Sequence, residues 1–126
     1  MKVAILTALS RISPVFETTS RWLAINVNNH QCTFCGTYSF VAQDEVGMSN
    51  ELLTKEIQLL ICGAIPCYLE KQLTEQGCVV MSFIAGDIDE VVHALCQKKL
   101  EDNPKFSMPG CKKRKQHNKN KSINNE

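Results

Sequence analysis

The chain has 126 residues, 44% of them hydrophobic and 21% charged, which is typical of one globular domain with a single core. No stretch approaches the roughly 20 apolar residues of a membrane-spanning helix. Arg11 also interrupts the apolar start before any cleavage site, so we expect a cytoplasmic protein without membrane contact. The net charge of +1 combines a balance of −5 over residues 1–104 with a balance of +6 over residues 105–126.

The first part of the chain predicts three strands. Lys2 to Thr7 is a short apolar run, whereas the segment from Arg11 to Thr19 contains a proline and several hydroxyl groups and is predicted to be a loop. Two β-rich segments follow, from Trp22 to Val27 and from Gln31 to Phe40. The two asparagines between them tolerate a positive φ, so these segments should form an antiparallel hairpin.

The rest of the chain predicts helices that alternate with strands. The five predicted elements are a helix capped by Ser49 or Asn50 and running to Ile57, a strand from Gln58 to Cys62, a helix from Pro66 to just before Gly77, a strand from Cys78 to Ile84, and a helix from Asp87 to about Leu100. The last helix has apolar residues at helical spacing behind a pattern typical of a capping box. The resulting order, β-β-β-α-β-α-β-α, predicts an α/β fold with a mixed five-stranded sheet.

One domain boundary is expected near residue 104. Residues 1–104 contain all the predicted elements. The basic segment 105–126 has few bulky apolar residues, so we expect it to be a disordered tail, because it cannot bury enough surface to offset its ordering entropy.

The high number of cysteines, seven, suggests metal or redox chemistry in a cytosolic protein. Cys32 and Cys35 form a C-x-x-C-G sequence that is typical of a metal knuckle. On a regular strand these two residues face opposite sides, so they can share one metal only if the strand breaks into a turn. A redox dithiol and unremarkable strand cysteines are the alternatives.

A second pair, Cys62 and Cys67, lies between a predicted strand and a predicted helix. Ligands of open α/β sheets collect at the carboxyl ends of strands, and a helix N-terminus favours a thiolate. Gly63 and Ala64 would allow an anionic cluster to approach the backbone. The alternative is that Cys62 is a buried strand residue and Cys67 has no role.

The other cysteines have separate interpretations. Cys78 and Cys96 are predicted to be core residues, because free cysteine is often buried as a small hydrophobic side chain. Cys111 stands beside three basic residues and is a candidate for an additional ligand or a reactive thiol.

Several segments resemble the dinitrogenase iron–molybdenum cofactor biosynthesis family, the small domains related to the nitrogenase accessory proteins X and Y. The matching segments are Met1 to Ile5, Arg11 to Phe16, Leu60 to Ile65, Val91 to Leu95 and Phe106 to Cys111. The Arg-x-Ser-Pro-x-Phe segment is the most specific of them. Many members carry a histidine where this chain has Val15.

The resemblance implies a ribonuclease H-like fold and the storage or transfer of an iron–sulfur or molybdenum-containing metal–sulfur cluster, without enzymatic turnover. The partners would be proteins that donate or accept the metallocluster. We expect Arg11 and Ser13 to supply hydrogen-bond donors for the cluster, Gly63 and Ala64 to allow its approach, and Cys32, Cys35, Cys62 and Cys67 to be the candidate ligands.

Three other functions compete with this one. A ribonuclease H-type enzyme needs carboxylates gathered at strand ends to hold two metal ions, and the predicted strands contain no Asp or Glu. A thiol redox or regulatory protein would use Cys32 and Cys35. A nucleic-acid binder would use the basic tail, but no aromatic residues beyond Phe106 are interspersed there, which argues against this function.

Overall fold

The computed structural model describes residues 1–98, 100 and 103–108. Its strands and helices are β1 Lys2–Ala8, β2 Arg11–Ile12, β3 Arg21–Asn28, β4 Gln31–Ser39, α1 Glu45–Thr54, β5 Leu59–Ile61, α2 Cys67–Glu75, β6 Val79–Met81 and α3 Ile88–Cys96. Short 3₁₀ turns cover Phe16–Thr18 and Pro104–Phe106. None of the described helices has the length and apolar character that crossing a lipid bilayer requires.

The sheet is mixed, as the order of predicted elements indicated. Its main path runs β4-β3-β1-β5-β6, and β2 pairs with β1 as a sixth strand. The pairs β1–β3 and β3–β4 are antiparallel, whereas β1–β5 and β5–β6 are parallel. The hairpin between β3 and β4 turns at Asn29, whose φ of 58° confirms the predicted positive φ in this turn.

Each face of the sheet has its own apolar core. Ala4 and Leu6 of β1 point to the face that α1 and α2 cover, where they pack with Leu52 and Leu69. The alternate residues of β1 point to the face that α3 covers, together with Val91 and Leu95. Burial on both faces explains why β1 and β5 are continuous apolar runs without alternation.

Four predictions about the helices, strands and loops differ from the structure. The helix α1 begins after Asp44, earlier than predicted. The low helix propensity of Gly47 hid the first turn from the sequence pattern, whereas packing of Met48 and Leu52 in the core stabilises the longer helix. The strand β6 is shorter than predicted, because Phe83 adopts a φ of 61° and its amide turns to the Gly63 carbonyl at 2.8 Å.

The other two corrections concern β2 and the end of α3. Arg11 and Ile12 were predicted to lie in a loop but pair with the end of β1. The helix α3 stops at Cys96 rather than near residue 100, because Lys98 adopts a φ of 60° and directs the buried Leu100 back to the core.

The packed region extends past residue 104, where the sequence predicted the domain to end. The Phe106 side chain is 3% exposed and packs in the core on the α3 face. Its carbonyl accepts a hydrogen bond of 2.7 Å from the Ala85 amide, and Ser107 forms a β-bridge with Ile84. The predicted tail from residue 109 onward, including Cys111, lies outside the described residues.

Candidate functional site

The two loops predicted to form the site do meet at the carboxyl edge of β1 and β5. These strands are parallel neighbours. Val15, in the chain after β2, also forms a parallel bridge with Ala64, in the chain after β5. The Ala64 amide donates to the Pro14 carbonyl at 2.8 Å, and the Ala64 carbonyl accepts from the Phe16 amide at 2.9 Å. Both backbone polar groups of Ala64 are therefore bonded to the neighbouring loop.

Gly63 lacks a side chain at the closest point between the two loops. A Cβ atom at this position would lie 2.5 Å from the carbonyl oxygens of both Ser13 and Pro14. The sequence pattern suggested that this space would admit a ligand. In the structure, the protein's own loop fills it.

The two candidate donors of the first loop differ in exposure. Ser13 is 3% exposed, and its hydroxyl donates to the Val15 carbonyl at 3.3 Å and accepts from the Thr19 hydroxyl at 2.7 Å. Arg11 is exposed, and its Nη1 atom lies 2.9 Å from the Asp87 carboxylate at the start of α3. Of the two, Arg11 is the side chain that a ligand could reach.

The thiols of the second loop are also unequal. The Cys62 side chain is fully buried in the core between the sheet and the helices α1 and α2. Cys67 is exposed in the first turn of α2, directly after Pro66. At this edge the structure therefore presents the thiol of Cys67 to solvent and encloses that of Cys62.

Cys32 and Cys35 lie on one continuous strand, so the turn required by a metal knuckle is not formed. The pairing of β3 with β4 skips Cys35, because Ala24 pairs with Gly36 and Ile25 with Phe34. Cys35 therefore occupies a β-bulge. Its side chain is exposed, and its Sγ lies 3.6 Å from the Thr33 carbonyl oxygen.

The two predicted pairs of thiols lie far apart in the sheet. Cys32 pairs with Val27, whose amide bonds to Met1 at the start of β1. Cys62 follows Ile61, which pairs with Ile5 toward the end of β1. This offset, together with three strand spacings, separates Cys32 from Cys62 by roughly 20 Å. One metal centre cannot take ligands from both, since metal–sulfur bonds are only about 2.3 Å long.

The described residues contain no group of three or more His, Cys, Asp or Glu side chains that could hold a metal ion. The predicted ligands are thus divided among a buried thiol, an exposed thiol at the carboxyl edge, an exposed thiol midway along β4, and the half-buried Cys32. Thiol ligation of a cluster by these residues remains a prediction.

No pattern in the sequence predicted that Cys32 and Cys96 would lie close together. Burial, followed by the influence of Cys96, raises the pKa of Cys32 from 9.0 to about 11. The Cys96 thiol also donates to the His30 carbonyl at 2.6 Å. The available signal was topological, because the start of β4 and the end of α3 both fall at the edge where β1 begins.

An open cleft of about 990 Å³ lies on the carboxyl edge, beside the predicted loops. The turn after β1, the start of β3 and the first turn of α3 line it. Arg21 contributes a positive charge, and Asp87, Asp89 and Glu90 contribute negative charges. Ser10, Ser20 and Thr37 add hydroxyl groups, so the cleft offers polar contacts of both signs.

No protein-family model matches the chain, and no curated protein sequence matches it. Solved structures do. The protein PH0822 has a TM-score of 0.74 at 15% identity, over 82% of this chain and 97% of that one. A candidate dinitrogenase (MJ0327) from Methanocaldococcus jannaschii has a TM-score of 0.63 at 22% identity, with coverages of 82% and 97%.

A third solved structure is similar over 86% of this chain and 98% of its own. It is a candidate NifB protein (TM1290) from Thermotoga that belongs to the DUF35 family, with a TM-score of 0.57 at 20% identity. The chain therefore shares its mixed α/β fold, over nearly its whole described length, with a group of small proteins that includes these three.

Proposed function

We propose that the protein binds a metal–sulfur cluster, either iron–sulfur or molybdenum-containing, and stores or transfers it without catalysing turnover. The observation that carries this proposal is the fold shared with a candidate dinitrogenase and a candidate NifB protein. The resemblance of Arg11–Phe16 and Leu60–Ile65 to the cofactor biosynthesis family agrees with it. Under the same proposal the sheet belongs to the ribonuclease H-like class, which its five-strand main path supports.

The cleft at the carboxyl edge is the place where we expect such a cargo to bind. Ligands of open α/β sheets bind outside the carboxyl ends of the strands, and this cleft lies at the end of β1. Arg21 lines it, and Arg11 borders it through its ion pair with Asp87. Guanidinium groups form strong hydrogen bonds with anions, so these two side chains would attract an anionic cluster, whereas Asp87, Asp89 and Glu90 in the same cleft would repel it.

Two features support binding rather than ribonuclease H-type catalysis. That chemistry needs several carboxylates gathered at strand ends around two metal ions. The strands that the structure describes contain no Asp or Glu, and the acids of the cleft belong to α3 and its N-cap. The partners in this proposal are cytoplasmic proteins that deliver or receive the cluster.

The test is anaerobic reconstitution of the full chain with iron and sulfide, with and without molybdate, followed by metal analysis and absorption spectroscopy. Four variants divide the possible ligands: Arg21→Ala for the cleft, Cys67→Ser for the exposed thiol at the carboxyl edge, Cys32→Ser with Cys35→Ser for the opposite edge, and Lys71→Ala as an exposed control on α2.

We expect the parent protein and the Lys71→Ala control to bind metal and the Arg21→Ala variant to lose it. Loss of metal from the Cys67→Ser variant as well would show that a thiol at the carboxyl edge helps to bind the metal. Loss only in the double cysteine variant would place the site at the opposite edge. A parent protein that retains no metal after desalting would overturn the proposal.

A further inference from the structure

Two thiols from distant parts of the sequence are brought together on the α3 face of the sheet. Cys32 is the second residue of the edge strand β4, and Cys96 is the last residue of α3. Cys96 lies close enough to Cys32 to raise the pKa of that thiol. Two further contacts fix the helix end on the hairpin: the Cys96 thiol donates to the His30 carbonyl at 2.6 Å, and the His30 ring lies 3.3 Å from the Cys96 carbonyl oxygen.

Exposure separates these two thiols from the other described cysteines. Cys32 and Cys96 are half-buried, so a small reagent can reach them while the surrounding packing holds them in place. Cys62 and Cys78 are buried in the core on the opposite face. Cys35 and Cys67 are exposed. Contact combined with partial access is the arrangement that a reversible dithiol needs.

We propose that Cys32 and Cys96 form a reversible redox couple, whose disulfide ties the edge strand β4 to the C-terminal end of α3. The oxidant is a small-molecule disulfide of the glutathione class. This proposal does not depend on cluster binding. It also differs from a C-x-x-C dithiol, because the partner of Cys32 comes from the last helix rather than from the same strand.

The reaction is thiol–disulfide exchange in two steps. Cys96 loses its proton to water, and its sulfur attacks one sulfur of the small disulfide. The small disulfide bond breaks, one half leaves as a thiolate, and the other half stays on Cys96. Cys32 then loses its proton and attacks the Cys96 sulfur, which forms the protein disulfide and expels the second thiolate. Two protein thiols are oxidised, and one small disulfide is reduced to two thiols.

The order of the two attacks does not change the outcome, because either order gives the same Cys32–Cys96 disulfide and the same two small thiols.

The test is to equilibrate the full chain anaerobically with mixtures of reduced and oxidised glutathione, trap the free thiols with a maleimide, and map cross-linked peptides by mass spectrometry. We expect a Cys32–Cys96 cross-link in the folded protein that a reducing dithiol reverses. Cys96→Ser should abolish it. The matched control Cys35→Ser, which removes the neighbouring exposed thiol, should leave it unchanged.

The same oxidation in concentrated urea provides the discriminating comparison. In an unfolded chain, loop-closure entropy favours the Cys32–Cys35 pair over the Cys32–Cys96 pair by roughly a hundredfold. The folded structure must reverse this preference if the proposal holds. A dominant Cys32–Cys35 cross-link in the folded protein, or glutathione attached to Cys96 without closure onto Cys32, would overturn the proposal. The mapping of the parent protein decides this even if a variant fails to fold.

Discussion

The two edges of the sheet differ in whether the predicted functional groups are accessible to a ligand or reagent. At the carboxyl edge, the loops around Ser13 and Gly63 bond to each other, and their polar groups and close approach serve the protein's own packing. At the opposite edge, Cys32 and Cys96 lie in contact and half-exposed. The first edge joins loops that follow neighbouring strands. The second joins an edge strand to the last helix.

This difference shows that proximity and availability are separate properties. The sequence correctly predicted that the loops after β1 and β5 would be neighbours, because parallel strands that pair must end together. Neighbouring loops can satisfy each other's hydrogen bonds, however, and then the groups that suggested a ligand site are already used. The cleft beside them, lined by Arg21 and the start of α3, is the part of this edge that stays open.

The largest effect that we predict tests the packing of the carboxyl edge. Gly63→Ala should lower the free energy of unfolding by about 3 kcal/mol, since overpacking a filled site costs this much. The new Cβ would lie 2.5 Å from two backbone carbonyl oxygens, which cannot rotate away as a side chain can. Urea unfolding measures the change.

Gly77→Ala is the matched control for this substitution. Gly77 has a φ of +93°, but no heavy atom of the described residues lies within 4 Å of an added Cβ. The cost of Gly77→Ala therefore reflects backbone strain alone and should be about 1 kcal/mol. Equal costs for the two variants would show that the loop at Gly63 moves aside easily and that this region can open for a ligand.

A smaller effect concerns Cys78, a third thiol that lies where β6 begins, at the same edge as Cys32. Burial raises the pKa of Cys78 from 9.0 to about 11. The folded state therefore keeps its proton at a pH where the unfolded chain loses it. The contribution of this thiol to the free energy of unfolding is complete below pH 9. It falls by about 2 kcal/mol as the pH rises toward 11.

The measurement is urea unfolding at a series of pH values from 8 to 11. Cys78→Ala should lose less stability over this range than the parent, by about 2 kcal/mol. Cys35→Ala, which removes an exposed thiol, should follow the parent curve. Parallel curves for Cys78→Ala and the parent would mean that water reaches this thiol in the folded state. Burial would then not explain a difference in accessibility between Cys78 and the pair Cys32 and Cys96.

The smallest predicted effect concerns the ion pair at the mouth of the cleft. Arg11 and Asp87 are 2.9 Å apart, but their side chains are 60% and 51% exposed. An exposed pair contributes under about 1 kcal/mol. A double-mutant cycle with Arg11→Ala and Asp87→Ala should give a coupling energy in that range. A larger value would mean that the pair is fixed in place and that Arg11 is less available to a ligand than its exposure suggests.

Local patterns in the sequence predicted most of the fold. The apolar run of β1, the asparagines before β4, Pro66 before α2 and the apolar stripe of α3 each mark an element that the structure contains. Alternation of strands and helices in the second half then fixed the parallel pairing. Boundaries were less accurate at Gly47 and Phe83, because helix propensity and strand pattern say little about where tertiary contacts start or stop an element.

The sequence by itself determined the order of the elements, the direction of the strands and the apolar faces that form the two cores. Those properties follow from periodicity and turn chemistry, which act over a few residues. Only the tertiary structure decided that Gly63 is filled by the loop at Pro14 and that Cys32 meets Cys96. Both contacts join residues far apart in the chain, and their occurrence depends on how the loops, the hairpin and α3 pack against the sheet, for which no local pattern in the sequence gives a signal.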